Sequence, residues 1–285
     1  MATGIVNPYA LAADFSPEMF PFVHLYWAGG PNMLAQGYAN NDDVPVWPCE
    51  ITGNSVDDLV PESGYSANIF DYKTAGVNGQ PSVYFAAANQ AHEGLRLAAR
   101  WSDYSALKAE GLIQGTARGY IGVEQKTSGS NTNGSYVINN ADTSSRAATT
   151  PWMKTTSNGT TVSVKIDASD TVGATSTDTS TALVPNVYVM DMENSGTLGA
   201  AYTDTFMWHD GAAVATPAGE TISTHREFGY WGIGSNGQSA SQSIKKTHIA
   251  FVGVYQHPSI LMRNQPMFGQ LNDWFLDTYG EELIT

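Results

Sequence analysis

Short runs of β-branched and aromatic residues, each about one strand long, recur along most of this chain, and turn residues stop each one. Phe22-Val23-His24-Leu25-Tyr26-Trp27 ends at Gly29-Gly30-Pro31, and Ser82-Val83-Tyr84-Phe85 follows Asn78-Gly79-Gln80-Pro81. Gly119-Tyr120-Ile121-Gly122-Val123 and Tyr136-Val137-Ile138 continue the series. Thr160-Thr161-Val162-Ser163-Val164-Lys165-Ile166 alternates with period two, as a half-buried strand does. Further strands are predicted over 186–193, 202–208, 228–233 and 247–255. Between 127 and 181 more than half of the residues are Ser, Thr, Asn or Gly. The β-patterned pieces inside that stretch favour long hairpin loops over a disordered linker. No fixed repeat period is present, which argues against a propeller or solenoid.

Helical pattern is scarce. Ser102 is placed to cap a short helix through Leu112. The clear case is 265–279, where Phe268, Leu271, Phe275 and Tyr279 are spaced 3, 4 and 4 apart and Gly280 supplies the stop. The fold class predicted is all-β: an antiparallel sandwich with a C-terminal helix laid on it. Residues 1–20, with Pro8 and Pro17, are thinly patterned and read as an N-terminal arm, and 21–285 as one β-domain, a common size for a single sandwich.

Composition narrows the function. Lys and Arg number 13 against 27 Asp and Glu, a net charge of −14. That balance argues against nucleic-acid binding and against an anionic membrane surface. No apolar run reaches the roughly 18 residues of a spanning helix. The first residues, Met1 to Pro8, have neither a basic nor an apolar signal region, and Cys49 is the only cysteine. These features lead to the expectation of a chain folded in a reducing cytoplasm. The surface polarity comes from hydroxyl and amide groups, since only 14% of residues are charged.

Three stretches carry a resemblance. Val44-Pro45-Val46-Trp47-Pro48 is followed by a polar loop with Asp57-Asp58-Leu59. Val77-Asn78-Gly79-Gln80-Pro81-Ser82-Val83-Tyr84-Phe85 has the form of an entry strand. His248-Ile249-Ala250-Phe251-Val252-Gly253-Val254-Tyr255 leads through Leu271-Asn272-Asp273-Trp274-Phe275 to Tyr279-Gly280. In this order they resemble the laminin-G-like branch of the concanavalin A-like lectin/glucanase superfamily, as found in bacteriophage virion proteins. Phe206-Met207-Trp208-His209-Asp210-Gly211 resembles that family's strand and turn, and Asp210-Gly211 independently reads as a tight hairpin turn. The resemblance implies a concanavalin A-like jelly-roll β-sandwich, a fold shared by lectins, glycosidases, polysaccharide lyases and structural modules, so it does not settle function.

Candidate chemistry is thin. Glycosidases of this superfamily place carboxylates at alternate positions of one strand, and Asp191-Met192-Glu193 is the nearest approach. With no flanking acid and a turn at Asn194-Ser195-Gly196, it reads as a solvated strand end, and no catalytic residue is assigned. His24, His92, His209, His225, His248 and His257 show no metal-site spacing, and His92-Glu93 and His209-Asp210 are the only close pairs. Asp42-Asp43 and Asp57-Asp58 lie in loops where Ca²⁺ could collect oxygens, but lack its usual spacing. Gly232-Ile233-Gly234-Ser235-Asn236-Gly237 matches a dinucleotide fingerprint only by letter, since no helix follows it. No metal and no cofactor is assigned.

Carbohydrate binding uses aromatic faces with amide and carboxyl partners, and the candidates are Trp101, Trp152, Trp208, Tyr230 and Trp231. The reading favoured by the sequence is a non-enzymatic virion protein of a tailed bacteriophage, a capsid-decoration or tail-associated component made in the host cytoplasm. Its partners would be other virion proteins docked through residues 1–20, further copies of itself, and a host-surface glycan. The alternatives are an extracellular glycan-binding module of a bacterial surface protein, or a divergent glycosidase or polysaccharide lyase.

Overall fold

The structure, a computed structural model, describes residues 15–53, 55–61, 70–86, 117–127, 184–194, 202–214, 246–257 and 260–285. It also describes the strand backbones at 95–97, 135–140, 153–157, 162–165, 173–176 and 231–233. In chain order the strands are β1 Phe22–Trp27, β2 Leu59–Pro61, β3 Phe70–Val77, β4 Gln80–Phe85 and β5 Leu95–Leu97. Next come β6 Ala117–Lys126, β7 Ser135–Asn140, β8 Met153–Ser157, β9 Val162–Lys165 and β10 Gly173–Ser176. The last five are β11 Asn186–Asn194, β12 Tyr202–His209, β13 Ala212–Val214, β14 Trp231–Ile233 and β15 Thr247–His257. Two helices, α1 Pro31–Leu34 and α2 Phe268–Tyr279, complete the set used below. One sheet runs β13-β12-β11-β6-β15-β4-β3 with β1 also paired to β15, and the other runs β10-β9-β8-β7-β14-β5-β2. All recorded pairings are antiparallel. The fold is an antiparallel β-sandwich of two sheets with a C-terminal helix, the all-β class the sequence predicts.

The first sheet is organised around β15. It pairs with β6 over its whole length, with β4 at Thr247–Ile249, and with β1 from Phe251 to Tyr255. The handover falls at a bulge between Ile249 and Phe251, where the Ala28 N–H donates to the Ala250 carbonyl at 2.9 Å. Thr247 and Ile249 to Tyr255 are all buried. A strand covered on both faces needs apolar residues at consecutive positions, which explains the unbroken run Ile249–Val254 where a half-exposed strand would alternate.

Each face has its own core. The inner one joins Tyr26, Trp47, Phe70, Phe85, Tyr120, Tyr188, Met190, Val252 and Val254 to Ile233 of the second sheet. Trp47, the aromatic of the opening motif, has no exposed surface and meets Tyr26 edge-on at 6.3 Å. The outer core joins Leu25, Ile121, Val123, Val187, Val189 and Phe251 to α2. The four residues spaced 3, 4 and 4 apart, Phe268, Leu271, Phe275 and Tyr279, are the buried stripe of that helix, and Gly280 ends it at φ 82°. Only glycine takes that left-handed value cheaply.

Chain segments are hydrogen-bonded along two margins of the first sheet, where an open edge would invite strand addition. The β3 edge is hydrogen-bonded by residues 41–44, including Val44 N–H to Phe70 O at 2.8 Å. Beside β13, the Thr285 N–H reaches the Gly211 carbonyl at 2.9 Å. The tight turns are Asn78-Gly79 (φ 46° and 76°) and Asp210-Gly211 (φ 47° and 74°), the two-residue geometry that suits the right-handed twist of a hairpin.

The Ser/Thr-rich middle contains β7 to β10 paired as successive hairpins, with β8 and β10 unforeseen because neither alternates clearly. The helix expected over 102–112 and residues 1–14 of the arm lie outside the described residues. The described end of the arm folds onto its own domain: Phe20 is 1% exposed, with ring contacts to Phe22 at 4.8 Å and Tyr255 at 5.8 Å.

The helix stripe gives a direct test. Phe275→Ala should cost about 3–5 kcal/mol, while Leu276→Ala, at an exposed position, should stay within about 0.5 kcal/mol. Urea unfolding of the two variants measures the difference.

Candidate functional site

The aromatic residues proposed for stacking do not assemble into a described platform. Trp101, Trp152 and Tyr230 lie outside the described residues. Trp231 is in β14, but its side chain lies outside them too. Trp208 belongs to the outer core, only 9% exposed, stacked near Phe206 at 6.1 Å with the Arg263 guanidinium 5.5 Å from its ring. At that exposure its ring is packed in the outer core and offers little surface for stacking.

Asp191 is not a solvated strand end. It has no exposed surface and accepts the backbone N–H of Met262 at 3.0 Å and of Arg263 at 3.1 Å. Arg263 Nη1 lies 3.6 Å away, and its guanidinium sits 3.7 Å over the Phe206 ring. The carboxylate fastens the 3-10 turn Met262–Asn264 that leads into α2. The side chain of Glu193 lies outside the described residues. Asp191→Ala leaves two backbone donors without their acceptor, so a loss of about 1–3 kcal/mol is expected, read from thermal unfolding.

A second polar group is built around His209-Asp210, one of the two close pairs noted in the sequence, together with residues that no spacing joins to it. The Tyr188 hydroxyl donates to Glu124 Oε1 at 3.3 Å, and the His209 ring stacks on Tyr188 at 4.8 Å. His209 Nε2 is 3.1 Å from Asn186 Oδ1 and 3.0 Å from Asp210 Oδ2. Asp210 Oδ1 in turn accepts the Val187 N–H at 2.7 Å. Glu124 and Tyr188 have no exposed surface. The group ties β6, β11 and β12 together, as buried satisfied networks do.

The loop carboxylates close their own loops. Asp42 accepts the Ala39 N–H at 2.7 Å and Asp58 the Cys49 N–H at 2.9 Å. Among the described residues no cluster of three potential metal ligands occurs. Glu50 ties its loop to α1, accepting the N–H of Asn32 at 2.8 Å and of Met33 at 3.1 Å. Burial pushes its carboxyl up to about 7 against those two hydrogen bonds, and Glu18 and Asp58 add repulsion. The folded state therefore holds this proton more tightly than the unfolded chain. The resulting stability is full below the ordinary glutamate value and is lost as pH rises through about 7. Relative to Glu50→Gln, the native chain should become less stable between pH 5 and 8, checked by urea midpoints across that range.

The remaining constellation faces outward. Register pairing aligns Asp71 on β3, Tyr84 on β4, His248 on β15 and Gln125 on β6 in one row across four strands. Their neighbours Tyr72, Val83, Phe85, Ile249 and Glu124 turn to the inside, so the row lies on the outer face. All four are partly exposed. The row spans three inter-strand gaps, roughly 14 Å. Lys73 Nζ stands 2.8 Å from Asp71 Oδ2, 2.7 Å from Asn41 Oδ1 and 5.2 Å from the Tyr84 ring centre. The His248 ring lies 4.6 Å from that of Tyr84, and its Nδ1 is hydrogen-bonded to Ser82 Oγ at 2.9 Å. Gly76 makes room for this pair: a Cβ there would fall 1.8 Å from Ser82 Oγ. Burial, then the charge of Lys73, hold His248 down to about 4, so it is neutral at pH 7. Gln125 Oε1 accepts the Asn78 N–H at 3.3 Å. Carboxylate, ammonium, phenol, imidazole and amide thus stand side by side, oriented by one another. The missed signal was the alternation Asp71-Tyr72-Lys73 and Ser82-Val83-Tyr84-Phe85, which puts polar groups on one face.

No protein-family model and no curated protein matches the sequence. Solved structures do. A mutant Trypanosoma rangeli sialidase displaying trans-sialidase activity aligns at TM-score 0.50 and 10% identity, over 84% of this chain and 31% of that one. The binding domain of botulinum neurotoxin serotype D aligns at TM-score 0.49 and 7% identity, over 92% and 55%. Domain 4 of an extracellular arabinanase from Geobacillus stearothermophilus, in complex with arabinotriose, aligns at TM-score 0.48 and 11% identity, over 84% and 94%. The chain therefore spans under a third of the sialidase. At these identities the likeness concerns the β-sandwich fold.

Proposed function

We propose that this chain is a non-catalytic, lectin-like module that binds carbohydrate through the outer-face row of Asp71, Tyr84, His248 and Gln125, with Lys73 beside it. The observation carrying this reading is the row itself. It is a partly exposed strip of fixed donors and acceptors around a tyrosine, on a sheet whose other described outer-face side chains pack largely under α2. Sugar hydroxyls each donate and accept, so mixed polar groups at strand spacing suit them, and a partly exposed ring offers apolar contact. The non-catalytic part of the reading is supported by Asp191, the described member of the alternating pair Asp191 and Glu193, being buried and engaged by two backbone N–H groups.

Assembly into a bacteriophage virion is a narrower reading that rests on the sequence. The described end of the N-terminal arm is folded against its own sheet through Phe20, which favours a self-contained module over a docking strap.

A glycan array probed with the full chain tests the reading, followed by titration calorimetry on any hit. Tyr84→Ala should lower affinity about tenfold or more, equivalent to about 1.4 kcal/mol, with an unchanged circular dichroism spectrum. An unaltered affinity in a folded Tyr84→Ala protein would place binding elsewhere.

A further inference from the structure

We infer that the outer-face row selects uncharged oligosaccharides over acidic ones. This rests on the carbohydrate-binding reading and narrows it to a ligand class.

The local balance of charge sets this preference. Lys73 is the cation of the row, and it is already engaged by the Asp71 carboxylate at 2.8 Å and by the Asn41 side-chain carbonyl at 2.7 Å. Two of its three ammonium protons are thereby committed, leaving one for a hydroxyl. An acidic sugar meeting that last proton would set its anionic group beside the Asp71 carboxylate, where like charges repel, unless it drew Lys73 away from Asp71 altogether. Separating a shielded pair in this way costs more than the new pair returns. The Lys73 and Asp71 side chains are only 19% and 22% exposed, so water replaces the lost partner poorly.

The other members add no positive charge. His248 is neutral through the physiological range, since burial and Lys73 both oppose its protonation. Tyr84, Gln125, Asn40 and Asn41 offer hydroxyl and amide groups, and Asn40 Oδ1 is turned to the Thr74 N–H at 3.2 Å. Lys246 is exposed in the turn before β15, where its carbonyl holds Thr127, and it lies outside the row. At longer range the chain's net charge of −14 opposes the approach of anions.

The test compares unsubstituted hexose and pentose oligosaccharides with carboxylated and sulfated ones, by array and calorimetry on the full chain. Binding to the neutral set is expected, changing less than about twofold between about 50 and 500 mM salt, because no counterions are exchanged. Asp71→Asn keeps the shape but uncovers Lys73, so it should gain salt-sensitive binding to the acidic set. Selection of acidic glycans by the native chain, with affinity falling about tenfold across that salt range, overturns the inference while leaving carbohydrate binding intact. An Asp71→Asn protein with unchanged selectivity overturns it as well. Binding of neither set removes the carbohydrate reading and this inference together.

Discussion

The rest of the structure depends on β15 being covered on both faces. A single strand supplies side chains to the inner core, through Ile249, Val252 and Val254, and to the outer core, through Phe251 and Tyr255. Two partners, β4 and β1, share one of its edges and are separated by the bulge near Ala250. That bulge shifts the side-chain alternation by one residue, so Ala250 joins the outer core next to Phe251. The amphipathic α2 is stable because this outer apolar surface exists, since a helix of twelve residues is marginal alone.

The covering is incomplete, and that incompleteness creates the candidate site. Helix α2 and the segment after it lie over Ile121, Val123, Val187, Val189 and Phe251. Toward β3 and β4 the same face carries Asp71, Lys73, Ser82 and Tyr84. At the border, Asn78 Nδ2 approaches the Thr278 carbonyl at 3.5 Å. The sheet thus changes from apolar to polar where the helix stops, as burial demands. Carboxylates elsewhere hold the frame: Asp191 fixes the turn into α2, Asp210 fixes β11, and Glu50 holds α1.

Legibility in the sequence followed the range of the interactions involved. The strands with strong β-branched and aromatic patterns, the two Asn-Gly and Asp-Gly turns and the 3, 4, 4 helix stripe depend on local periodicity, and they stand as read. The aromatic candidates for sugar contact were chosen by residue type. Trp208 is as hydrophobic as an exposed platform must be, and that property equally suits the core in which it is found. Asp191 shows the converse, since a carboxylate at a strand end reads as solvated unless a later segment supplies N–H donors, here 71 residues on.

What the sequence alone determined is the architecture: alternation, turn chemistry and one helical stripe are short-range patterns that specify strands and a cap. Tertiary structure alone decided which residues share the outer-face row. Asp71, Tyr84, Gln125 and His248 are brought together by antiparallel register between strands far apart in the chain. Register shifts by one residue turn every side chain to the opposite face. The chemistry of the face is therefore set by pairings that no local stretch of sequence contains.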